Sequence, residues 1–568
     1  MDHQNLAKRI IYIWLAVVLL LLPSTALSPL AIQASPETDA WNKYPIPKEG
    51  KAGDWVLTGP GTSVTALGVA GDGTTIYAAT EGIGNHNLYK SDDDGYTWTP
   101  LWEIPAGDGG SMIIAINLPD REDSDTIYLS TENNVYKSTD GGEDFDIVGN
   151  NPGGAGADGL KITSFDVIEH HGDNLLVIST RDVDNLEYGG VYFYDESETF
   201  SNLTDLRVGN SDAGSMYDVL AVAFSPNFSD DEQIVAVVTD ELNTIVTTRF
   251  GVGNWGGEVA DAYIMNVLVD PPLPMAATSG LLAFPADYDS DVDEEQYVQY
   301  VGLDVGGLTG GVYMITGVEA PNAPLVDLVS LPAPVYSLDA AGNAIDPVML
   351  IGEEYEPTVI GPMVVAGLTT GGVFSFMGGI GSPPPSAPPA TNACVALGAF
   401  HGLGYYVYAG TSGTNGGFAR STDSGATFAR TAFISDNLTE ITDIAVSPVY
   451  DQDGTIYMIT QGDSGNKILW RTTSHGQTWD AIMTQGQSLI GSQGSFTTLA
   501  DFDNIVFSPR FETDTSVFII ESGSAPNIWR STDNGSRFLP LRNKATTEEI
   551  DSLVPVNNKK LLVGDSAG

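Results

Sequence analysis

Short apolar segments recur along most of the chain, and turns rich in Gly, Asp and Ser separate them. Segments of this length that contain Val, Ile, Tyr and Trp predict β-strands. The clearest pair leads from Ile444 through a Ser-Pro step and an acidic turn to Tyr457, and the same frame occurs over Ile505–Phe518 and Val222–Val235. A second recurrent turn follows, with one strand before it and one strand after it. Together with the first pair, these make a unit of four short strands. The pattern therefore predicts an all-β protein.

The second recurrent turn is an octapeptide that follows an apolar, aromatic strand. It starts with Ser or Thr, has Asp at the third position and Gly at the fifth, and closes with Trp or Phe. The five copies place these positions at Ser91, Asp93, Gly95 and Trp98; Ser138, Asp140, Gly142 and Phe145; Ser421, Asp423, Gly425 and Phe428; Thr472, Ser474, Gly476 and Trp479; and Ser531, Asp533, Gly535 and Phe538. We expect the polar side chains to bond the turn's own backbone, the Gly to supply a positive φ, and the aromatic ring to pack the hairpin.

This octapeptide, S-x-D-x-G-x-[TS]-[WF], resembles the Asp box of the BNR repeat family. That family includes sialidases, sortilin-type receptors, xyloglucanases and photosystem assembly factors. The resemblance implies a β-propeller of four-stranded blades, with the Asp boxes in structural positions on the rim. Neighbouring copies are roughly 50 residues apart, close to the length of a blade, but the boxes cover two stretches of the chain and not its middle.

The strand groups predict about nine to ten units, in one large or two smaller propellers. Units are expected to begin near residues 62, 111, 161, 216, 260, 322, 394, 441 and 498, with a partial tenth from Ile550. Blades 1–6 then occupy 62–378 and are degenerate after blade 2, a Pro-rich connector occupies 379–393, and blades 7–9 with the partial tenth occupy 394–568. A half-blade leaves an open strand edge, so we expect a piece of a longer chain; an unusual closing strand is the alternative.

The beginning of the chain indicates export. Lys8 and Arg9 precede an apolar segment from Ile10 to Leu22, the layout of a secretory signal. Residues 1–34 are predicted to be a signal peptide or an uncleaved N-terminal anchor, and 35–61 a linker. The expected location is extracytoplasmic, either secreted or at the cell surface, with membrane contact only through an uncleaved N-terminal segment.

Charge and cysteine content narrow the possible partners. The chain has 74 acidic and 23 basic residues and a formal net charge of −51, which disfavours a nucleic-acid partner because such a surface repels phosphates. Cys394 is the only cysteine, so no intrachain disulfide forms. Its apolar neighbours predict a buried side chain and not a nucleophile.

One acidic loop is a candidate metal site. Asp287, Asp289 and Asp291 alternate along it and could supply oxygen ligands to calcium. An EF-hand would need Gly where Val292 stands and Glu where Val298 stands, so an ordinary solvated turn is the main interpretation and calcium the alternative. No other cofactor is indicated.

The known catalytic signatures are missing. The arginines that precede three boxes are repeat positions and not a carboxylate-binding cluster, which disfavours a sialidase. The pair His170-His171 is a weak ligand set, because neighbours in a strand point to opposite faces. Acidic residues are too numerous to nominate the carboxylate pair of a glycosidase, so no catalytic residue is assigned.

Three hypotheses for function remain. The first is a non-catalytic binding or envelope-structural protein whose partner is a protein or glycan at the cell surface. The second is a secreted glycoside hydrolase of the Asp-box propeller type. The third, an assembly factor for a membrane complex, follows from the family resemblance alone.

Overall fold

The computed structural model describes most of the chain after residue 56 and is nearly all-β. The described residues are 57–58, 63–70, 72, 74–81, 87–108, 112–119, 125–157, 159–184, 187–197, 203–209, 216–259, 261–266, 273–291, 296–305, 310–316, 326–331, 335–344, 347–353, 364–370, 373–376, 390–401, 404–413, 417–422, 429–435, 438–462, 465, 467–485, 488–490, 496–498, 501–521, 526–541 and 544–567. The predicted signal segment and linker lie outside them, apart from Leu57–Thr58. Among the described residues, no helix has the length and apolar character needed to cross a membrane.

The strands form antiparallel meanders, each with four strands in chain order. Sheet 4 carries a fifth strand, and a two-stranded terminal hairpin follows sheet 9. The bounds are: sheet 1, Ser63–Val69, Ile76–Glu81, Leu88–Ser91, Thr99–Trp102; sheet 2, Ala115–Asn117, Ile127–Ser130, Asn134–Ser138, Asp146–Asn150; sheet 3, Leu160–His170, Asp173–Asp182, Gly190–Asp195, Thr204–Asp205; sheet 4, Asp218–Phe224, Gln233–Thr239, Thr244–Phe250, Ala262–Asn266, Leu273–Pro274; sheet 5, Ser279–Ala283, Val298–Asp304, Gly310–Thr316, Val326–Leu331; sheet 6, Val335–Gly342, Pro347–Glu353, Val364–Thr370, Val373–Phe376; sheet 7, Ala390–His401, Gly404–Gly413, Gly417–Ser421, Ala429–Ala432; sheet 8, Leu438–Val446, Ile456–Gly462, Lys467–Thr472, Asp480–Thr484; sheet 9, Phe502–Phe507, Val517–Glu521, Ile528–Ser531, Leu539–Pro540; terminal hairpin, Ile550–Asn557, Lys560–Asp565.

Two short strand pairs among the described residues lie outside the meanders. Leu57–Thr58 pairs in parallel with Ile434–Ser435, and Ser488–Ile490 pairs with Phe496–Thr498.

Successive sheets stack face to face, with the first strand of each sheet against its neighbour. These contacts run in order from sheet 1 to sheet 7, and the first strand of sheet 7 also contacts the first strand of sheet 1. Apolar side chains pack between the sheets; one core combines Trp98 of sheet 1 with Phe418 of sheet 7 and Phe433 just after it. Four-stranded meanders stacked in this way are the arrangement of propeller blades.

Sheet 8 meets sheet 7 differently. Its last strand pairs edge to edge with the last strand of sheet 7, through Arg430 and Ala481. The Arg430 side chain is buried at this junction and donates from Nη2 to Thr484 Oγ1 at 2.6 Å. Sheet 9 stacks on sheet 8, and the terminal hairpin stacks on sheet 9.

Two predicted unit boundaries are wrong. The segment near 260 does not open a unit: Ala262–Asn266 is the fourth strand of sheet 4, paired with the strand Thr244–Phe250. Likewise Val326–Leu331 pairs with Gly310–Thr316 and completes sheet 5. The first strands of sheets 5 and 6 begin later, at Ser279 and Val335. Both errors arise because a fourth strand and a first strand have the same apolar composition, and only the pairing separates them.

The Pro-rich connector ends before the predicted residue 393. Its residues 379–389 lie outside the described residues, whereas 390–393 already belong to the first strand of sheet 7, which includes Cys394.

The acidic turns between first and second strands contain single turns of helix. Phe228–Asp231, Tyr450–Asp453 and Phe511–Asp514 are the three copies, and a 3₁₀ turn occurs at Pro152–Gly154. In the first copy Ser225 Oγ donates to Asp231 Oδ2 at 2.6 Å, and the backbone N–H of Gln233 donates to Asp231 Oδ1 at 2.8 Å. The recurrent Ser-Pro step with an Asp six residues after the Ser therefore encodes a self-bonded turn.

Candidate functional site

The octapeptide turns connect the third and fourth strands and are held by their own side chains. In the first copy, Asp93 accepts hydrogen bonds from Ser91 Oγ at 2.9 Å, Thr97 N at 2.8 Å and Thr97 Oγ1 at 2.7 Å. The N–H of Gly95, whose φ is 83°, donates to Ser91 Oγ at 2.9 Å. Trp98 is fully buried, and its Nε1–H donates to the Gly95 carbonyl at 2.9 Å.

The other described copies repeat this bonding. Gly142 N donates to Ser138 Oγ at 2.9 Å and Gly535 N donates to Ser531 Oγ at 2.8 Å. In the fourth copy Ser474 replaces the Asp and accepts from Thr478 N at 2.8 Å. The structure describes Ser421 of the third copy, whereas Asp423, Gly425 and Phe428 lie outside the described residues. The described turns use their polar groups internally, which leaves them little capacity for a ligand.

The acidic loop does not gather a ligand set among its described residues. Asp287 Oδ1 accepts a hydrogen bond from Ala344 N at 2.6 Å, and Asp289 Oδ1 accepts one from Asp291 N at 2.9 Å. Within the described part of the chain no three His, Cys, Asp or Glu side chains are placed to hold one metal ion, and residues 292–295 of this loop lie outside that part. Calcium at Asp287, Asp289 and Asp291 stays a prediction.

The two neighbouring histidines come together, contrary to expectation. His171 has a φ of 57° and stands in the turn after the strand, so the alternation of a strand does not apply to it. The ring centroids of His170 and His171 are 4.1 Å apart.

Among the described residues, a cavity lined by the first strands of successive sheets offers charged and polar groups to a ligand. One part has a volume of about 620 Å³ and a second part about 470 Å³. The first part lies where the first strands begin and the second strands end. It is lined by Ser63, Val64, Thr65, Glu81, Met112, Ile114, Glu132, Ile162, Thr163, Arg181, Leu220, Thr278, Ser279, Gly280, Leu281, Val335 and Tyr336. We call this part the mouth.

Three charged side chains at the mouth occupy one repeat position. In sheets 1 and 2 the sequence Thr-Ile-Tyr of the second strand is followed, four residues after the Tyr, by Glu81 and Glu132. Arg181 follows Thr180 at the same repeat position in sheet 3. In the sheet register Ser63 lies opposite Glu81 and Lys161 lies opposite Arg181. Stacking of sheets 1 to 3 thus brings two carboxylates and one guanidinium to one cavity.

The neighbours of these groups fix part of the mouth. Lys161 Nζ lies 2.9 Å from Glu132 Oε1 in a partly exposed ion pair, which contributes little to stability. Arg181 Nη1 donates to the carbonyl of Thr278, at the edge of sheet 5, while its buried Nε has no hydrogen-bond partner. A guanidinium carries five N–H donors, so the partly exposed Arg181 can hold the Thr278 carbonyl and still offer other donors to a ligand.

A buried carboxylate supports the backbone beside Arg181. Asp218 accepts hydrogen bonds from the N–H of Asp182 at 2.7 Å and of Gly189 at 2.9 Å. Burial raises the pKa of Asp218, although these two hydrogen bonds and the charge of Arg181 act in the opposite direction. This contact ties the end of the second strand of sheet 3 to the start of sheet 4.

A second carboxylate clamps three sheets along the other part of the cavity. Asp166 accepts from Val167 N at 2.9 Å, from Asn117 Nδ2 of sheet 2 at 2.8 Å and from Phe224 N of sheet 4 at 2.9 Å. Burial raises the pKa of Asp166, and the hydrogen bonds oppose that rise. The three hydrogen bonds join sheets 2, 3 and 4 at a carboxyl whose burial disfavours its charged form.

Sequence reasoning missed Glu81, Glu132 and Arg181. The chain has many acidic residues, and nothing in the sequence sets these two glutamates and this arginine apart as a group. They lie close together only because the sheets stack. The repeated Thr-Ile-Tyr segment with a charged residue after it was a usable signal.

No protein-family profile and no curated protein sequence matches this chain. Among solved structures, it is similar to an ancestral GH74 enzyme, with a TM-score of 0.44, 13% identity, and coverage of 91% of this chain and 68% of the other. It is also similar to the GH74 xyloglucanase of Xanthomonas campestris, with a TM-score of 0.42, 12% identity, and coverage of 88% and 83%. YCF48 bound to D1 peptide gives a TM-score of 0.36 at 12% identity, with coverage of 65% and 97%.

Proposed function

We propose that this chain is an exported β-propeller protein of the Asp-box type that binds a glycan at the mouth of its central cavity. Export is supported by the charged and apolar segment over residues 8–22. The Asp-box assignment is supported by the shared bonding of the described octapeptide turns.

In this proposal sheets 1 to 7 close into one ring. The contact between the first strands of sheets 7 and 1 supports it, as does the core that Trp98 shares with Phe418 and Phe433. The ring centroids of Trp98 and Phe418 are 5.0 Å apart, and those of Trp98 and Phe433 are 4.8 Å apart. A seven-bladed ring falls within the roughly four to eight blades of known propellers.

The observation that carries the binding proposal is the convergence of Glu81, Glu132 and Arg181 on one cavity of about 620 Å³. Hydroxyls of Ser63, Thr278 and Ser279 and the exposed Tyr336 line the same cavity. Carboxylates, a guanidinium and hydroxyls bond sugar hydroxyls, and an exposed aromatic ring offers an apolar face to a sugar ring. The strongly negative chain disfavours polyanionic glycans, so a neutral glycan or one with isolated charges fits best.

Calorimetry with a panel of neutral and acidic oligosaccharides tests this function. For a glycan that binds, Glu81→Gln and Glu132→Gln are each expected to weaken affinity about tenfold, because a hydrogen bond to a charged group contributes about 1.5–3 kcal/mol. Glu143→Gln, an exposed acid in the second octapeptide turn, is the matched control and should leave affinity unchanged. Equal affinities for all three variants would refute binding at the mouth.

A second candidate is a glycoside hydrolase acting at the same mouth. The two glutamates at equivalent points of adjacent sheets supply the pair of carboxylates that such an enzyme requires. Release of reducing sugar from a polysaccharide panel separates the two functions. Turnover that Glu81→Gln or Glu132→Gln abolishes and Glu143→Gln preserves would establish the hydrolase, whereas binding without turnover would support the non-catalytic protein.

A further inference from the structure

The charge balance of the mouth differs from that of the chain as a whole. Acidic residues outnumber basic ones by 74 to 23 in the sequence. A separate cavity of about 370 Å³ between sheets 2 and 3 follows this excess, since Asp140, Asp144, Asp146 and Glu196 line it together with Lys137. An acidic lining is therefore what the composition of this chain produces at an ordinary cavity.

At the mouth two basic groups stand against two acidic ones. Glu81, Glu132 and Arg181 line the cavity, and Lys161 Nζ lies 2.9 Å from Glu132 Oε1. Because this ion pair offsets the charge of Glu132, a ligand meets one carboxylate, that of Glu81, and one guanidinium, that of Arg181. The mouth can therefore accept a negatively charged group that the rest of this acidic chain repels.

The contacts of Arg181 suit it to hold such a group. Its Nη1 donates to the Thr278 carbonyl, and the backbone N–H of the adjacent Asp182 donates to the buried Asp218 at 2.7 Å. These two contacts fix the position of the arginine before a ligand arrives. A planar guanidinium can bond both oxygens of one carboxylate, a geometry that a lysine ammonium lacks.

We propose that the glycan bound at the mouth carries a single uronic acid among neutral sugars, and that Arg181 recognises its carboxylate. This inference rests on the proposed glycan binding and names the class of glycan. Runs of uronic acids are disfavoured, because the formal charge of −51 repels a polyanion. Glu81 and the hydroxyl of Ser279, in the same cavity, bond hydroxyls of the neutral sugars.

Calorimetry with matched oligosaccharides tests the role of Arg181. The probes are oligosaccharides with one glucuronic, galacturonic or mannuronic acid, each compared with the same molecule after its carboxyl group has been reduced to an alcohol. The measurement belongs at about 0.15 M salt, where a Debye length of about 8 Å screens distant charges more than the adjacent guanidinium. For a probe that binds, the uronic acid form should bind about tenfold tighter than the reduced form, because hydrogen bonds between charged groups are the stronger ones.

Three variants show whether this preference comes from the guanidinium. In Arg181→Gln the ratio of the two affinities should fall to about one, and Arg181→Lys, which keeps the charge without the planar fork, should retain only part of it. Arg249→Gln is the matched control. Arg249 Nε also donates to a backbone carbonyl, that of Gly253 at 2.9 Å, but Arg249 pairs with Ile234 at the end of sheet 4 away from the mouth. This variant should keep the wild-type ratio, and circular dichroism checks that all three variants fold.

The outcomes separate this inference from the proposed function. Equal affinities for both forms, weakened by Glu81→Gln, would leave glycan binding at the mouth intact and overturn the role of Arg181. A preference for the uronic acid that persists in Arg181→Gln and Arg181→Lys would overturn it as well. If neither form of any probe binds, the proposed function fails and this inference fails with it.

Discussion

The contact between sheets 7 and 1 can be tested at a single carbonyl. The Gly95 carbonyl accepts one hydrogen bond from Trp98 Nε1 at 2.9 Å, within sheet 1, and another from Thr431 Oγ1 of sheet 7 at 2.8 Å. Thr431 and Trp98 are both buried. Thr431→Val removes the second donor with little change of shape, and Trp98→Phe removes the first.

The magnitudes follow from how many donors each variant leaves. Each single substitution leaves the carbonyl one partner, so Thr431→Val should cost about 1 kcal/mol of unfolding free energy. Trp98→Phe should cost about 1–3 kcal/mol, because a small cavity accompanies the lost bond. The double variant leaves neither donor, and a buried carbonyl without a partner costs a further 1–3 kcal/mol, roughly. The pair should therefore be superadditive by about 1–3 kcal/mol.

Urea denaturation followed by circular dichroism measures the four free energies of the cycle. The matched control cycle combines Thr431→Val with Phe538→Leu, the equivalent aromatic residue in the turn of sheet 9, which does not pair with sheet 7, and should be additive. Thr431→Ser should restore most of the stability lost in Thr431→Val. Additivity of Thr431→Val with Trp98→Phe would show that sheet 7 does not supply this donor, and would refute the closed ring of seven sheets.

Three further substitutions test local physics. Glu232 ends a helical turn with a φ of 49°, where the equivalent residue of sheet 8 is Gly454, so Glu232→Gly should raise stability by about 0.5–1 kcal/mol; a lower melting temperature would contradict this. Ser474→Asp should stabilise the fourth octapeptide turn by about 0.5–1 kcal/mol through charge-assisted bonds, and an unchanged urea midpoint would count against that account. Because burial raises the folded-state pKa of Asp166, the folded state holds this proton to higher pH than the unfolded state, and its contribution to stability falls as pH rises from the ordinary aspartate pKa through the raised one. Asp166→Asn should flatten the fall in melting temperature over that window, and an identical pH profile would exclude Asp166 as its source.

The described strands and turns follow closely from local sequence. Units of four strands, the self-bonded octapeptide turns and the positive φ of Gly95 were readable because each depends on a few neighbouring residues. Ser474 shows the same principle, since a hydroxyl two residues after Thr472 accepts the bond that a carboxylate accepts elsewhere. The boundaries near 260 and 322 were misassigned because apolar strands of equal length differ only in their partners.

The sequence by itself determined the all-β character, the turn chemistry and the charge of this protein, because these depend on side chains close together in the chain. Tertiary structure alone decided which strand belongs to which sheet, that sheet 7 contacts sheet 1, and that Glu81, Glu132 and Arg181 share one cavity. It also decided that Ile444 is exposed while the equivalent Ile505 is buried. The physical reason is that stacking depends on which faces meet, and residues far apart in sequence supply those faces.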